Sequence, residues 1–216
     1  MFDIYVEQAP VLMPAAAVVF VFSGVLSTVL VSGGAGLALI ALIIRVVATT
    51  LFTGMVVQLV ADVQDGRRDA SVSELLRAVA PVLGQLVAVA IVVGIGIVLG
   101  LIALIIPGVI LFTVWSLAAP VVVLERPPGL GALRRSRELV RGNGWQVFGV
   151  IFVLGILVAI LTGVLGLAAG AASLAAGIVV GVVLGVLTAP LPALAAAVLY
   201  LELRDARAPE DLPVAP

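Results

Sequence analysis

The sequence predicts an all-α integral membrane protein: a polytopic bundle of about six transmembrane helices, joined by short basic amphipathic helices on the cytoplasmic side. Of its 216 residues, 63% are hydrophobic and 11% are charged, whereas a soluble domain is about half apolar and about a quarter charged. The apolar residues form long runs, and a helix needs about 20 such residues to cross a bilayer. The arginines are confined mainly to alternate connections between these runs, which is typical of a multi-pass membrane protein.

Six apolar runs can be delimited, and each is predicted to be one span. Their approximate bounds are 15–31, 37–60, 82–106, 109–124, 145–167 and 173–201. Together they predict one transmembrane domain over residues 1–204. The polar, proline-rich residues 205–216 are predicted to form a disordered cytoplasmic tail.

Local signals set the boundaries of the runs. Ser71 and Glu74 have the spacing of a capping box, and the helix they begin is expected to pass Pro81 and become the third span. Pro107 and Gly108 predict a sharp turn, because proline has no N–H to donate and glycine tolerates unusual φ angles. A further turn is expected near Gly170.

The distribution of arginine predicts the orientation of the chain. Arginine supplies all eleven positive charges. Ten of these arginines fall in the second and fourth connections and after the last run, and the first, third and fifth connections contain none. Because cytoplasmic loops are enriched in basic residues, we expect a multi-pass protein of the plasma membrane with both termini in the cytoplasm. The N-terminal residues lack the positive charge of a cleavable signal peptide, so the first run is expected to remain as an anchor.

Several classes of function are disfavoured by composition. The net charge is −1, which gives no overall basic field for a nucleic-acid partner. The chain has no cysteine and no histidine, which removes thiolate ligands, the commonest metal ligand and the usual general base. No catalytic motif is present. We therefore expect no enzymatic activity, no cofactor and no metal site.

The fourth connection carries the highest density of positive charge. Arg134, Arg135, Arg137 and Arg141 lie in a segment that can form a short amphipathic helix, with Arg134, Arg137 and Arg141 on one stripe. Two interpretations remain open. The charges are only retained topology signals, or the stripe binds anionic lipid headgroups, at about 1 kcal/mol per charge. Trp145 follows, at the depth where aromatic side chains meet headgroups.

Arg45 is the exception to the charge pattern. It lies within the second run, roughly 13 Å deep at 1.5 Å per residue, and an arginine at the centre of a span costs about 2.5–3.5 kcal/mol on insertion scales. A functional interpretation makes it an anion site in a cavity. A structural interpretation has it reach toward the interface or bond to groups such as Gln85, backbone carbonyls or residues in the first run.

Glycines and prolines complete the pattern within the spans. Gly96 and Gly100, and later Gly177 to Gly185, have the spacing that lets helices approach closely, which predicts packing within the bundle or, alternatively, a dimer. Pro120, Pro190 and Pro192 are expected to kink their helices. Glu125 and Asp62 are interpreted as solvated carboxylates at the ends of spans.

Part of the chain resembles a known family. A proline–glycine pair is followed by a span, then by P-V-x-V-x-E and by A-L-x-R-S-x-x-L-V-x-G-x-x-W. With the later stretch PLPALAAAVLYLELRDAR, this pattern resembles the membrane-domain family of glycerophosphoryl diester phosphodiesterases, over about residues 53–204. The residues that carry the resemblance are Pro107, Gly108, Pro120, Glu125, Ala132, Leu133, Arg135, Ser136, Leu139, Gly142 and Trp145.

The resemblance implies a six-helix membrane domain, sometimes fused to a soluble phosphodiesterase domain whose metal-dependent chemistry uses histidines. Because this chain has no histidine, we expect it not to hydrolyse glycerophosphodiesters. Composition, with arginine but no lysine, suggests a bacterial source.

The primary functional hypothesis is a non-enzymatic membrane protein that engages anionic lipids or a protein partner at the cytoplasmic face, with a homo-oligomer also possible. The alternative is a small transporter or lipid translocator with an anion site near Arg45.

Overall fold

The computed structural model describes residues 13–14, 16–19, 21, 35–66 and 71–207, and these residues are mostly helical with no β-strand among them. Within this part of the chain, five helical segments are long and apolar enough to cross a membrane. The prediction of an all-α membrane bundle is confirmed. The first predicted span, 15–31, and the tail beyond residue 207 lie largely outside the described residues.

Nine α-helices are given labels here in chain order. They are α1 (Ala35–Gln64), α2 (Val72–Val79), α3 (Leu83–Ala103), α4 (Ile105–Trp115), α5 (Ala118–Leu124), α6 (Gly131–Val140), α7 (Gly144–Ala172), α8 (Leu174–Thr188) and α9 (Pro190–Arg207).

The start of α2 is the predicted capping box. The Glu74 amide donates to the Ser71 hydroxyl, and the Ser71 amide donates to the Glu74 carboxylate over 2.9 Å. Pro81 then sits in a single 3-10 turn, Ala80–Val82, through which the chain passes into α3. A proline in this tighter turn lets the chain continue as a span without an orphaned amide.

The turn between α3 and α4 differs from the prediction. The chain reverses at Leu104, which is extended with φ −165° and ψ 144°, and Pro107 and Gly108 lie inside the first turn of α4. The prediction of a turn at Pro107–Gly108 is wrong because the first turn of a helix does not need the amide that proline lacks. Gly108 serves instead where α3 and α4 touch: a Cβ there would lie 2.5 Å from Leu101 Cγ.

Two of the spanning segments are interrupted near prolines. Between α4 and α5 the helix breaks at Ser116 and Leu117, just before Pro120, and between α8 and α9 it is interrupted at Ala189, just before Pro190. These interruptions agree with the expected kinks, since each proline removes a helix hydrogen bond.

The boundaries of the last two spans lie later than expected. α7 ends at Ala172, and Ser173, not Gly170, forms the turn and caps α8 through a bond from the Ala176 amide. α9 continues to Arg207, so the first three residues assigned to the disordered tail are helical. The C-terminal charges Arg204 and Arg207 lie in its last turn, where cations favour the helix dipole.

The core is concentrated at one end of the bundle. α1 packs against α2, α3, α5 and α9, whereas α7 and α8 form a hairpin that touches the rest mainly through α9 and α4. Among the largest fully buried side chains are Phe52, Val56, Leu59, Leu86, Leu117, Val121, Leu139 and Tyr200.

Some of the predicted glycines lie at close contacts between helices. A Cβ on Gly96 would lie 2.3 Å from the Trp115 ring, and one on Gly100 would lie 2.9 Å from the Gly108 backbone. Gly177 packs on Gly170 inside the α7–α8 hairpin. At these positions the small residues let neighbouring helices of one chain approach, as bundle packing requires.

Candidate functional site

Most of the arginines in the described residues assemble at one end of the bundle. Arg126 donates to the Ala78 carbonyl over 3.3 Å, the Arg207 guanidinium donates to the Arg141 carbonyl, and Arg126 and Arg204 line one cleft. We call this the basic end. It gathers the chain around the ends of α1, α2, α5, α6 and α9. Arg67 and Arg68, which were predicted to share it, lie outside the described residues.

A hydrogen-bonded group of three side chains ties the basic end together. Arg135 Nε lies 3.1 Å and 3.0 Å from the two carboxylate oxygens of Glu125, and the Tyr200 hydroxyl donates to Glu125 Oε1 over 2.9 Å. The Arg135 and Glu125 side chains are 32% and 27% exposed, and Tyr200 is fully buried. Glu125 therefore bonds to side chains of two other helices, and the interpretation of Glu125 as merely a solvated carboxylate is wrong.

This arrangement follows from where each element ends. Glu125 closes α5, Arg135 lies on α6 and Tyr200 lies on α9. The Arg204 guanidinium lies 5.9 Å from the Tyr200 ring centre, within cation–π range. A charge-assisted bond is stronger than a neutral one, so Glu125 fixes α6 against the spans.

Three further hydrogen bonds hold α6 and the loop before it. The Ser136 hydroxyl, which is completely buried, donates to the Val114 carbonyl over 2.7 Å. Gln85 donates to the Gly129 carbonyl over 2.9 Å and also to the Pro127 carbonyl. Gln85 was one of the expected partners of Arg45, and these bonds show that it serves the loop before α6 instead.

The apolar face of α6 is directed at the bundle. Ala132, Leu139 and Val140 are buried together with Ser136. The apolar face of α6 therefore packs on the bundle and not on lipid. The remaining side of α6 carries the charged side chains.

The four arginines predicted as a lipid or anion contact separate into two groups. Arg135 is held by Glu125. Arg134 and Arg137 are exposed on the outer side of α6, Arg141 is exposed at its C-cap, and we call these three the arginine face. Arg134 is paired with Glu138 at 3.0 Å, with its side chain 86% exposed. The guanidinium groups of Arg137 and Arg141 bond to no side chain among the described residues.

Apolar side chains flank the arginine face. Leu130, immediately before α6, is half exposed, and Trp145, just after it, is 83% exposed. Trp145 meets Phe148 edge-on at 5.7 Å between ring centres. An exposed tryptophan at the start of an apolar span is typical of headgroup depth.

Arg45 lies on the outer side of α1. It is exposed, as are its neighbours Leu42 and Ile43. Its guanidinium bonds to no side chain in the part of the chain that the structure describes, and among those residues it lines neither of the two grooves found within the bundle. Ser23, Ser27 and Thr28, its other expected partners, lie outside the described residues.

The cleft at the basic end has mixed charge. It encloses about 360 Å³. Its charged side chains are Asp62, Asp65, Arg126 and Arg204. Gln58 donates to Asp62 over 3.1 Å. No group of three or more acidic residues within the described ranges could hold a metal ion.

Tyr200 and Ser136 were not predicted from the sequence as structural contacts. Both occur in the stretches that carry the family resemblance. However, a tyrosine within a helix or a serine between arginines does not by itself indicate which residue it contacts. The sequence does contain one signal for these contacts. Glu125 and Arg135 have the opposite charges that an ion pair needs, and Ser136, next to Arg135, has a hydroxyl that can donate a hydrogen bond.

The fold and the charge distribution define a multi-pass helical membrane protein with one basic end. The chain matches no known family model, no curated protein and no solved structure. The resemblance to the glycerophosphoryl diester phosphodiesterase membrane domains therefore stays a prediction.

Proposed function

We propose that this chain is a non-enzymatic integral membrane protein whose basic end binds anionic lipid headgroups through the arginine face. The observation that carries the proposal is the outward position of Arg134, Arg137 and Arg141 on a helix whose opposite side is anchored in the bundle. A charge near an anionic membrane surface contributes about 1 kcal/mol. The exposed Leu130 and Trp145 beside the face support lipid rather than a dissolved anion.

Retention of anionic lipid tests the proposal. The full chain is extracted gently, supplied with equal phosphatidylglycerol and phosphatidylcholine, and examined by native mass spectrometry. We expect wild type to retain phosphatidylglycerol preferentially and the triple variant Arg134→Gln, Arg137→Gln, Arg141→Gln to lose most of that preference, at about 1 kcal/mol per charge removed.

Two controls separate charge from damage to the fold. The corresponding triple lysine variant keeps the charge and is expected to keep the preference. Arg45→Gln removes a charge far from the arginine face and is expected to change nothing. Unchanged phosphatidylglycerol retention in the triple glutamine variant refutes lipid binding and leaves the face to an acidic protein partner.

We infer further that the basic end faces the cytoplasm and that the membrane is the plasma membrane. The support is the enrichment of cytoplasmic loops in arginine together with the gathering of these arginines at one end. Because the chain has no native cysteine, single cysteines can be placed at Pro128 and at the exposed Leu104. In intact cells, an impermeant thiol reagent should label Leu104→Cys and spare Pro128→Cys, and labelling of the reverse set contradicts the orientation.

The transporter alternative gains no support from Arg45, which is exposed on the outer surface of α1 and is not among the described residues that line either groove. An anion site there is not part of the proposal.

A further inference from the structure

The two interrupted spans meet at one groove inside the bundle. Ser116 and Ala119, at the break between α4 and α5, and Thr188 and Ala189, at the interruption between α8 and α9, all line it. The groove encloses about 480 Å³, within the range of about 300–1,000 Å³ that ligand sites occupy. A second groove of about 320 Å³ lies beside it, and the two share Thr53, Phe112, Ser116 and Ala119.

Most of the lining is apolar. Phe52, Phe112, Ile151 and Leu154 supply the larger surfaces, and alanines and glycines supply the rest. No charged side chain belongs to the lining among the described residues. Binding pockets for small molecules combine such apolar walls with a few placed polar groups.

The polar side chains of the lining are four hydroxyls that share one property: each already donates its proton to a carbonyl of its own helix. The donor and acceptor residues, with the oxygen–oxygen distances, are Thr49 to Arg45 (2.8 Å), Thr53 to Thr49 (2.9 Å), Ser116 to Thr113 (2.8 Å) and Thr188 to Leu184 (2.7 Å). A hydroxyl has one proton and two lone pairs. These four therefore offer the groove acceptors only.

The prolines leave two carbonyls of lining residues without their usual helix donor. Pro120 has no N–H for the carbonyl of Ser116, and Pro192 has none for the carbonyl of Thr188, and both of these residues line the groove. In a membrane, backbone carbonyls without an intrahelical donor are tolerated where the backbone lines a cavity or is buried in protein. As far as the described residues form it, the lining is thus uncharged and mostly apolar, and its hydroxyls are acceptors.

From this chemistry we infer that the groove binds a neutral lipid that carries a free hydroxyl, such as a diacylglycerol. The hydroxyl supplies the donor that the lining lacks, and the acyl chains cover the aromatic and aliphatic walls. An anionic headgroup would meet acceptors with no cation, and an ammonium group would meet no carboxylate. The inference is independent of the arginine face, which lies on α6 and contributes nothing to this lining.

The donor requirement is tested with one matched pair of probes. The purified full chain is titrated with dioleoylglycerol and with the methyl ether of dioleoylglycerol, in which a methyl group replaces the hydroxyl proton, and bound lipid is measured by native mass spectrometry. Loss of one neutral hydrogen bond should weaken binding of the ether by roughly three- to tenfold. Equal binding of the two probes, or no binding of dioleoylglycerol because another segment or lipid fills the groove, overturns the proposal.

The location is tested with one matched pair of variants on α7. Gly155 lines the groove, and a Cβ there would meet nothing within 4 Å, so Gly155→Leu is expected to fill open space without disturbing the fold. Gly163 lies on the same helix, is equally open and is not in the lining. Gly155→Leu should abolish measurable dioleoylglycerol binding, and Gly163→Leu should leave it at the wild-type level. Wild-type binding in Gly155→Leu places the lipid elsewhere and refutes the site.

Discussion

The helices around the basic end and the α7–α8 hairpin are built from similar residues but pack in opposite ways. In the most apolar window of α7 the mean hydropathy is 2.9 and none of the residues is buried, whereas the corresponding window of α1 has a mean hydropathy of 2.2 and 39% of its residues are buried. The segment Val72–Ala103, at 3.0 and 17%, resembles the hairpin. The most hydrophobic spans are therefore the least covered by protein.

This difference in burial follows from the fact that lipid is the solvent around the spans. Because lipid tails are as apolar as leucine, burying an apolar side chain in the bundle gives little advantage over leaving it in lipid. Helices associate instead through close packing and hydrogen bonds. At the basic end these are supplied by Tyr200, Glu125, Arg135 and Ser136, whereas the outer surface of α7 offers exposed phenylalanine, valine, leucine and isoleucine.

The largest expected effect comes from a methyl group at a helix contact. In Gly108→Ala the new Cβ would lie 2.5 Å from Leu101 Cγ and 2.7 Å from the Leu101 amide nitrogen, so α3 and α4 must separate. Overpacking of this kind costs about 1–3 kcal/mol, and contact with backbone places the cost near the upper end. The free energy of unfolding in mixed detergent micelles measures it.

The same substitution in the hairpin is the control. Gly163 is open on α7, so Gly163→Ala should raise the free energy of unfolding by up to about 1 kcal/mol through helix propensity alone. Equal losses of unfolding free energy in Gly108→Ala and Gly163→Ala would mean that the hairpin is as tightly packed as the α3–α4 contact. That result would contradict the difference in packing between the two regions.

A smaller effect is expected from the ion pair at the basic end. A double-mutant cycle with Glu125→Gln and Arg135→Gln should give a coupling free energy of about 1–2 kcal/mol, since the side chains are about one-third exposed and thus lie between surface and buried pairs. Thermal or denaturant unfolding of the four proteins in detergent supplies the values.

The exposed pair on α6 provides the comparison for this cycle. Arg134 and Glu138 are four residues apart, with side chains 86% and 45% exposed, and their coupling should be only a few tenths of a kcal/mol. If the Arg134 cycle gives as much as the Arg135 cycle, Glu125 does not lock α6 to the spans as described.

Hydropathy and charge were sufficient to predict the class of fold, because a chain with so few polar residues has only the bilayer as a compatible solvent. They also predicted the gathering of arginines at one end. Interruptions near Pro120 and Pro190 followed from the missing amide of proline, a local property that sequence shows directly.

The remaining features depend on contacts between distant residues. Pro107 has the same covalent structure whether it makes a turn or begins a helix, and the choice is set by how Gly108 meets Gly100 across the α3–α4 contact. Likewise, the separation of Arg135 from the arginine face depends on a glutamate ten residues earlier and a tyrosine on α9. The groove forms where two proline-linked interruptions lie next to each other, and no single stretch of the sequence predicts that contact.

The bond between Glu125 and Tyr200 joins residues 75 positions apart, and the whole α7–α8 hairpin lies between them. During biosynthesis, α6 can bond to Glu125 and to the Val114 carbonyl as soon as it is translated, yet the Tyr200 bond to Glu125 must wait until the hairpin has been inserted and α9 has followed. The hairpin, whose α7 is apolar enough to enter the bilayer without help from the other helices, therefore sets the earliest moment at which the basic end is complete. Its insertion acts as a timing step in the maturation of this surface.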